Sequence, residues 1–265
     1  MDWDINFTSV KYGLAILNMK NLMKKVIYFY NRYLRPKKHV IIFGESGTGK
    51  SQFLNAILGN PAIESSRTRY THECTLILEN GRKICFYDSP GHTSLQQDRI
   101  RLTDKIRNRK IDGILNVVNF GYSESDTAQS LSIFKVPNDK EQKIREVKES
   151  YLNENRKREI SQLDEWFNLI RSDTELKWII TVINKADIWY EQREEVIDYY
   201  ENGKYGQKLQ QLDRCCKLYY YPYCSVISPF GGSPMILSMD EREKLRMHHK
   251  LLAEFVEIIE RKKDV

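Results

Sequence analysis

Two short motifs constrain this chain more than any other feature. The first fits the phosphate-binding pattern G-x-x-x-x-G-K-[ST] and reads Gly44-Glu45-Ser46-Gly47-Thr48-Gly49-Lys50-Ser51. The second is Asn184-Lys185-Ala186-Asp187. The glycines of the first motif permit backbone conformations in which successive N–H groups point at phosphate oxygens, and a following helix N-terminus adds positive potential. Lys50 is then predicted to reach the β- and γ-phosphates, and the Ser51 hydroxyl to bind Mg²⁺.

The residues around the first motif have the pattern that a phosphate-binding loop requires. Residues 38–43 form a short apolar run, which predicts a buried strand, and residues 52–58 have the spacing of an amphipathic helix that ends near Gly59. The sequence therefore predicts strand, glycine loop and helix in that order.

A second apolar strand is predicted at residues 83–87, followed by Asp88-Ser89-Pro90-Gly91-His92. Ligands of open α/β sheets bind at the carboxyl ends of strands. Asp88 is therefore a candidate Mg²⁺ ligand, and the Gly91 N–H is a candidate donor to the γ-phosphate.

Two further apolar runs, residues 111–120 and 178–183, are predicted to be central strands, and the second leads into the Asn184–Asp187 motif. There the Asp187 carboxylate can accept from guanine N1–H and the exocyclic amine, while Asn184 braces the base and the loop and the Lys185 stem covers a ring face. Adenine presents no matching donors, so an unpaired carboxylate would disfavour it.

The ordered set GESGTGKS, DSPGH and NKAD resembles the P-loop GTPases of the Ras, Era and translation-factor superclass, over about residues 38–260. The resemblance implies an α/β fold with a mostly parallel six-stranded sheet, helices on both faces, GTP or GDP as ligand and Mg²⁺ as cofactor. It also implies a base-contacting turn at Ser225-Val226, where the backbone N–H of Val226 is available. Pro222 just before it predicts an edge strand.

The same resemblance implies a switch threonine that binds Mg²⁺, and the chain offers Thr68, Thr71 and Thr75. Thr71 is favoured because it comes just before a strand expected to begin near Cys74, whereas Thr75 is interpreted as a strand residue. Thr68 remains the second choice.

His92 stands where family members place a water-orienting Gln or His. The resemblance therefore implies a catalytic set of His92, Lys50 and Thr71, in which a polar side chain orients the attacking water. The alternative is that His92 is a solvated histidine of a switch loop.

The N-terminal arm holds much of the positive charge. Residues 1–40 contain eight Lys and Arg against two acids, a balance of +6 that equals the net charge of the whole chain. Its apolar residues recur at gaps of three and four, which predicts one stripe of a helix ending near Arg35-Pro36: Ile16, Met19, Met23, Val26, Tyr30 and Tyr33. Residues 1–36 are therefore predicted as a basic amphipathic helix, and 37–265 as the GTPase domain.

Three interpretations of this helix stay open. It could dock on its own domain, or residues 14–35 could bind an anionic membrane surface or a partner helix. Nucleic acid is disfavoured, because nothing resembles a reading motif and the charge is modest.

Residues 121–177 exceed the length of a single crossover helix with short loops. We therefore predict a helical insertion at about 121–159, in which residues 123–138 are a Ser-rich loop. Residues 139–171 are predicted to form one long helix or two short ones, whose polar middle from Asn153 to Glu159 cannot be buried on every side. It is either an effector-binding elaboration or a solvated extension.

Composition predicts a reducing compartment. Five cysteines form no C-x-x-C pair and are expected to be reduced thiols: Cys74, Cys85, Cys215, Cys216 and Cys224. The acidic opening Met1-Asp2-Trp3-Asp4 argues against a targeting peptide, and no stretch has the length and apolarity of a membrane span. A cytoplasmic location is expected, and peripheral membrane attachment if the helix binds lipid.

The sequence as a whole predicts a Mg²⁺-dependent GTP-binding and GTP-hydrolysing switch that is slow without a partner. A protein effector or activator is the expected reader of the switch, and composition is compatible with dimerisation. The alternative is an interaction or assembly module that binds nucleotide with negligible turnover, with or without membrane docking through the N-terminal helix.

Overall fold

A computed structural model describes residues 19–59, 72–89, 97, 100, 102, 104, 111–123, 147–170, 176–212, 216–227 and 239–260. Within these residues the chain forms a six-stranded sheet in the order β2-β3-β1-β4-β5-β6. Its strands are β1 (Lys38–Phe43), β2 (His72–Ile77), β3 (Lys83–Asp88), β4 (Gly113–Val118), β5 (Trp178–Ile183) and β6 (Lys217–Pro222).

The helices with described bounds are interspersed with the strands along the chain. They are α1 (19–29, continued by a π-helical turn Tyr30–Leu34), α2 (Lys50–Ile57), α3 (Glu149–Leu169), α4 (Ala186–Trp189), α5 (Arg193–Glu201), α6 (Lys204–Leu212) and α7 (Glu241–Glu260). A 3-10 turn, Tyr190–Gln192, joins α4 to α5. None of the described helices is long and apolar enough to span a lipid bilayer.

Strands β1, β4, β5 and β6 are parallel neighbours. β4 and β5 are buried at every position, because parallel strands covered by helices on both faces carry apolar side chains in both directions. The predicted α/β class and the mostly parallel six-stranded sheet are therefore confirmed.

Helices pack on the two faces of this sheet. On one face, the Phe43 ring of β1 stacks on Trp166 of α3, with centroids 5.2 Å apart. Thr181 of β5 is in register with Phe43 through β4, so it points to the same face. Trp178, three positions before Thr181, points to the other face, where its ring meets Phe255 of α7 edge-on at 6.0 Å.

The two edges of the sheet differ. β6 forms one edge and ends at Pro222, which pairs with Ile183, so the prediction of an edge strand is confirmed. β2 forms the other edge and is joined to β3 by a tight turn, in which the Leu78 N–H donates to the Arg82 carbonyl at 2.9 Å.

The chain divides into two compact units, residues 1–38 with 74–85 and residues 39–73 with 86–265. In the first unit, the predicted N-terminal helix is present over residues 19–34 and ends just before Arg35-Pro36, while residues 1–18 lie outside the described residues. Its buried Asn31 donates to the Asn80 carbonyl in the β2–β3 turn at 2.9 Å.

The later part of the predicted insertion belongs to one continuous helix, α3, which also supplies the crossover between β4 and β5. As expected, its polar middle is not buried on every side: Asn153 and Glu154 are exposed. The other side is not solvated, since Asn155 and Glu159 are buried with exposed fractions of 3% and 2%. Residues 124–146, the earlier part of the insertion, lie outside the described residues.

Gly113 supplies a test of how closely the central strands pack. A Cβ at this position would lie 2.2 Å from the Trp178 ring, which covers the glycine across the β4–β5 register. We expect Gly113→Ala to lower the free energy of unfolding by about 1–3 kcal/mol, measured by urea denaturation. Lys157→Ala, at an exposed position of α3, is the control and should change the free energy of unfolding by less than about 0.5 kcal/mol. Equal effects of the two substitutions would contradict the packing argument.

Candidate functional site

The glycine loop lies between β1 and α2 as predicted. Gly44, Gly47 and Gly49 all have positive φ, at 149°, 77° and 87°. Lys50 is buried, and its Nζ donates to the carbonyls of Gly44 and Glu45, each at 2.9 Å. The loop therefore encloses the Lys50 ammonium group, which lies where the motif is predicted to bind phosphate.

The loop is closed by a second internal contact. The buried Thr48 side chain donates through Oγ1 to the Glu45 carbonyl at 2.9 Å. Ser46 is half-buried beside it. The motif thus forms one compact turn that leads into α2 at Lys50.

Ser51 and Asp88 come together where α2 begins and β3 ends. The Ser51 Oγ donates to Asp88 Oδ2 at 3.1 Å, and Asp88 is buried. A hydroxyl and a carboxylate oxygen are ligands that Mg²⁺ accepts, so both residues fit the predicted metal role. Among the described residues, no group of three or more His, Cys, Asp or Glu could hold a metal ion.

Asn184 connects the two motifs that the sequence places far apart. Its Nδ2 donates to the Thr48 carbonyl at 2.8 Å, and its Oδ1 accepts from both the N–H and the Oγ of Ser225 at 3.0 Å. Gly49 permits this contact, because a Cβ there would lie 2.5 Å from Asn184 Nδ2. Asn184 therefore braces the phosphate loop, as expected, and also the turn after β6.

The other residues of the second motif follow directly. Lys185 is left-handed, with φ 59° and ψ 37°, and α4 begins at Ala186, so Asp187 lies in the first turn of that helix. Asp187 is buried and accepts a hydrogen bond from the Cys224 thiol at 3.5 Å. Burial and the nearby Asp187 charge raise the pKa of Cys224, so the thiol keeps its proton and donates.

The predicted base-contacting turn adjoins this carboxylate. Ser225 is buried and bonded to Asn184, whereas Val226 is half-buried. Ser225, Cys224 and Asp187 thus occupy one corner of the site.

Most of the predicted switch residues cannot be compared with the structure. Thr68, Thr71, Gly91 and His92 lie outside the described residues, so their assignments stay predictions. Thr75 is an exposed residue of β2, which confirms its interpretation as a strand residue. β2 begins at His72, which is consistent with the reasoning that placed Thr71 just before the strand.

The sequence analysis missed one loop of the site, residues 119–123 after β4, called here the β4 loop. The Asn119 Nδ2 donates to the Gly47 carbonyl at 3.4 Å, and the Lys185 Nζ donates to the Tyr122 carbonyl at 2.9 Å. The loop therefore contacts both motifs. Its signal in the sequence is weak, because an Asn and a Gly after an apolar strand are typical of any loop.

A glycine loop of the form G-x-x-x-x-G-K-[ST] between a strand and a helix, here between β1 and α2, is the signature of P-loop nucleotide-binding proteins. The sequence model of the family described as 50S ribosome-binding GTPase matches residues 39–185, more than half of the chain. The chain belongs to this GTPase family and is a P-loop GTPase, as the motifs predicted. Asp187 and Ser225 lie beyond the matched residues.

Solved structures that are similar to the chain include two of signal recognition particle receptors. One is the signal recognition particle receptor SRb-GTP/SRX complex from Chaetomium thermophilum, with 11% identity, a TM-score of 0.46, and 76% of this chain and 96% of that chain covered. Another is the mammalian SRP receptor, with 14% identity, a TM-score of 0.44, and 71% and 92% covered. No curated protein matches the chain.

Proposed function

We propose that this protein is a Mg²⁺-dependent GTPase that acts as a nucleotide-controlled switch and hydrolyses GTP slowly without a partner. The observation that carries this proposal is the Asn184 brace, which ties the phosphate loop at Thr48 to the turn at Ser225. With this brace, phosphate-binding and base-reading groups belong to one preorganised site. The family match supports the guanine nucleotide as ligand.

Each described site residue has a role in this proposal. Lys50 neutralises the β- and γ-phosphates, Ser51 and Asp88 hold Mg²⁺, and Asp187 accepts from the guanine N1–H and amine. Mg²⁺, when bound, supplies charge neutralisation of the phosphates. Lys185 covers a ring face, and the N–H of Val226 is available to the base.

The switch segments complete the proposal. Thr71 would bind Mg²⁺ and Gly91 the γ-phosphate, so loss of that phosphate would release both segments. A protein effector or activator would read the change, in a cytoplasmic setting.

Asp187 provides the test of guanine recognition. Calorimetric titration of nucleotide-free protein with Mg²⁺ should give binding of GDP and a non-hydrolysable GTP analogue, and none of an ATP analogue. Asp187→Asn should weaken GDP binding at least about tenfold and admit xanthosine diphosphate, whose C2 carbonyl accepts from an amide. Asp198→Asn is the matched control, because Asp198 is exposed and its carboxylate accepts from Asn202 at the end of its own helix. Binding of ATP by the unaltered protein would contradict the proposal.

Single-turnover assays of the unaltered protein and of a His92 variant distinguish a GTPase from an assembly module with negligible turnover. Single-turnover GTP hydrolysis should fall about tenfold or more in His92→Ala, because the side chain is proposed to orient the attacking water. His249→Ala, an exposed residue of α7, should leave the rate unchanged. An unchanged rate in His92→Ala with GTP binding intact would remove His92 from the mechanism. Negligible turnover in the unaltered protein would favour the alternative function.

A second function is favoured by the surface of α1 and the turn after it. Nine large apolar residues there are between 50% and 67% exposed: Met19, Leu22, Met23, Val26, Ile27, Phe29, Tyr30, Tyr33 and Leu34. Four basic residues lie on the other side of the helix, at positions 20, 24, 25 and 32. An exposed apolar stripe beside Lys and Arg is complementary to an anionic lipid surface. We therefore propose peripheral membrane docking through this helix.

Co-sedimentation with vesicles tests the docking proposal. Phosphatidylserine-containing vesicles should pellet the full chain, and removal of residues 1–36 should abolish pelleting. Met23→Gln with Val26→Gln should weaken binding at least about fivefold through lost apolar burial, while Asn21→Gln, outside the stripe, should not. Equal pelleting with and without residues 1–36 would contradict lipid docking. Dimerisation that requires the helix, without vesicle binding, would assign the stripe to a partner helix instead.

A further inference from the structure

The β4 loop has an unusual backbone that needs support from elsewhere. All five of its residues are buried, and two in succession are left-handed: Phe120 with φ 57° and Gly121 with φ 87°. A non-glycine residue in this region is strained, so it persists only where its surroundings hold it. The turn also points successive N–H groups away from solvent, where they need hydrogen-bond acceptors.

A single buried side chain, Glu159 of α3, supplies most of these acceptors. Its Oε1 accepts from the Asn119 N–H at 3.0 Å and from the Gly121 N–H at 3.3 Å. Its Oε2 accepts from the Tyr200 hydroxyl at 2.7 Å, and that hydroxyl oxygen accepts from the Phe120 N–H at 2.7 Å. Three consecutive N–H groups of the loop are therefore held by one carboxyl group, directly or through Tyr200.

The same face of α3 also holds the carbonyl side of the loop. Asn155, one turn before Glu159, donates through Nδ2 to the Gly121 carbonyl at 2.8 Å. The Arg156 guanidinium lies 4.3 Å from the centroid of the Phe120 ring. α3 thus contacts the β4 loop at its N–H groups, at the Gly121 carbonyl and at the Phe120 ring.

The carboxyl group is costly to bury, which separates it from an ordinary packing residue. Burial raises the pKa of Glu159 to about 7, while the hydrogen bonds from Asn119, Tyr200 and Gly121 and the charge of Arg156 oppose this rise. An apolar side chain would fill the space without that cost, but it would leave the N–H groups of Asn119 and Gly121 and the Tyr200 hydroxyl without their acceptor.

The loop held in this way touches both nucleotide motifs. Asn119 bonds to the Gly47 carbonyl of the phosphate loop, and the Tyr122 carbonyl accepts from Lys185 of the base-reading motif. Ser123 Oγ donates to Asn119 Oδ1 at 3.2 Å and so fixes the amide that reaches Gly47. A change in the loop is therefore transmitted to the groups proposed to bind phosphate and base.

We propose that Glu159 is a positioning residue for the nucleotide: by holding the β4 loop, it fixes Asn119 against the phosphate loop and Lys185 against Tyr122. This inference rests on the proposed binding of guanine nucleotide. Glu159 itself does not touch the nucleotide, and its effect is on affinity and residence time.

The experiment compares GDP affinity and dissociation rate in three variants, with fluorescent GDP and Mg²⁺. Glu159→Leu keeps the volume and removes both acceptors, so GDP affinity should fall at least about tenfold, chiefly through faster dissociation. Glu159→Gln keeps an acceptor for Asn119 and Gly121 and can donate to Tyr200, so affinity should stay within about threefold of the unaltered protein. Tyr200→Phe, which removes one hydroxyl only, should fall between them and serves where Glu159→Leu does not fold.

Gly113→Ala is the matched control for general loss of stability. It acts at the opposite end of β4, about 20 Å from the loop, and touches no residue of the proposed site. The free energy of unfolding is measured for every variant. If Gly113→Ala weakens GDP binding as much as Glu159→Leu at equal loss of stability, the positioning role is overturned.

Other outcomes are equally decisive. An affinity of Glu159→Leu within threefold of the unaltered protein, or a loss in Glu159→Gln as large as that in Glu159→Leu, overturns the inference while guanine binding stands. If the unaltered protein does not bind GDP at all, the proposed function fails. The calorimetric titration of the unaltered protein therefore distinguishes a failure of the proposed function from a failure of the positioning role.

Discussion

The site depends on one buried amide. Asn184 bonds to the Thr48 carbonyl with its Nδ2 and to Ser225 with its Oδ1, so a single planar group joins loops that follow β1, β5 and β6. An amide can do this because it carries donors and an acceptor at fixed separation. The contact also requires Gly49, since any Cβ would occupy the space of Asn184 Nδ2. The glycine of the phosphate motif is thus explained by packing as well as by backbone conformation.

A second layer of polar contacts lies behind this brace. Glu159 holds the backbone of the β4 loop, and the loop in turn contacts Gly47 and Lys185. Burying a carboxyl group is unfavourable unless hydrogen bonds compensate it, and here the N–H groups of Asn119 and Gly121 do so. The result is a preorganised loop, in which the backbone groups beside the proposed nucleotide site have little freedom to rearrange.

Much of the fold could be predicted because its signals are local. The apolar runs 38–43 and 178–183 coincide with β1 and β5, and Pro222 correctly indicated an edge strand, since a residue without an N–H cannot donate within a central strand. The stripe of α1 was also predicted as a helix, but periodicity does not say what a stripe faces. Only the structure shows those residues exposed.

The sequence by itself determined the class of protein and which residues the glycine loop and the Asn184–Asp187 loop bring to one site, because those residues lie in contiguous motifs at the ends of predicted strands. Tertiary structure alone decided which polar residues of α3 are buried. Asn155 and Glu159 are polar residues like their exposed neighbours in the sequence, such as Asn153 and Glu154. Their hydrogen-bond partners in the β4 loop are more than thirty positions away. Burial of a charged residue is decided by such distant hydrogen-bond partners, and no local pattern records them.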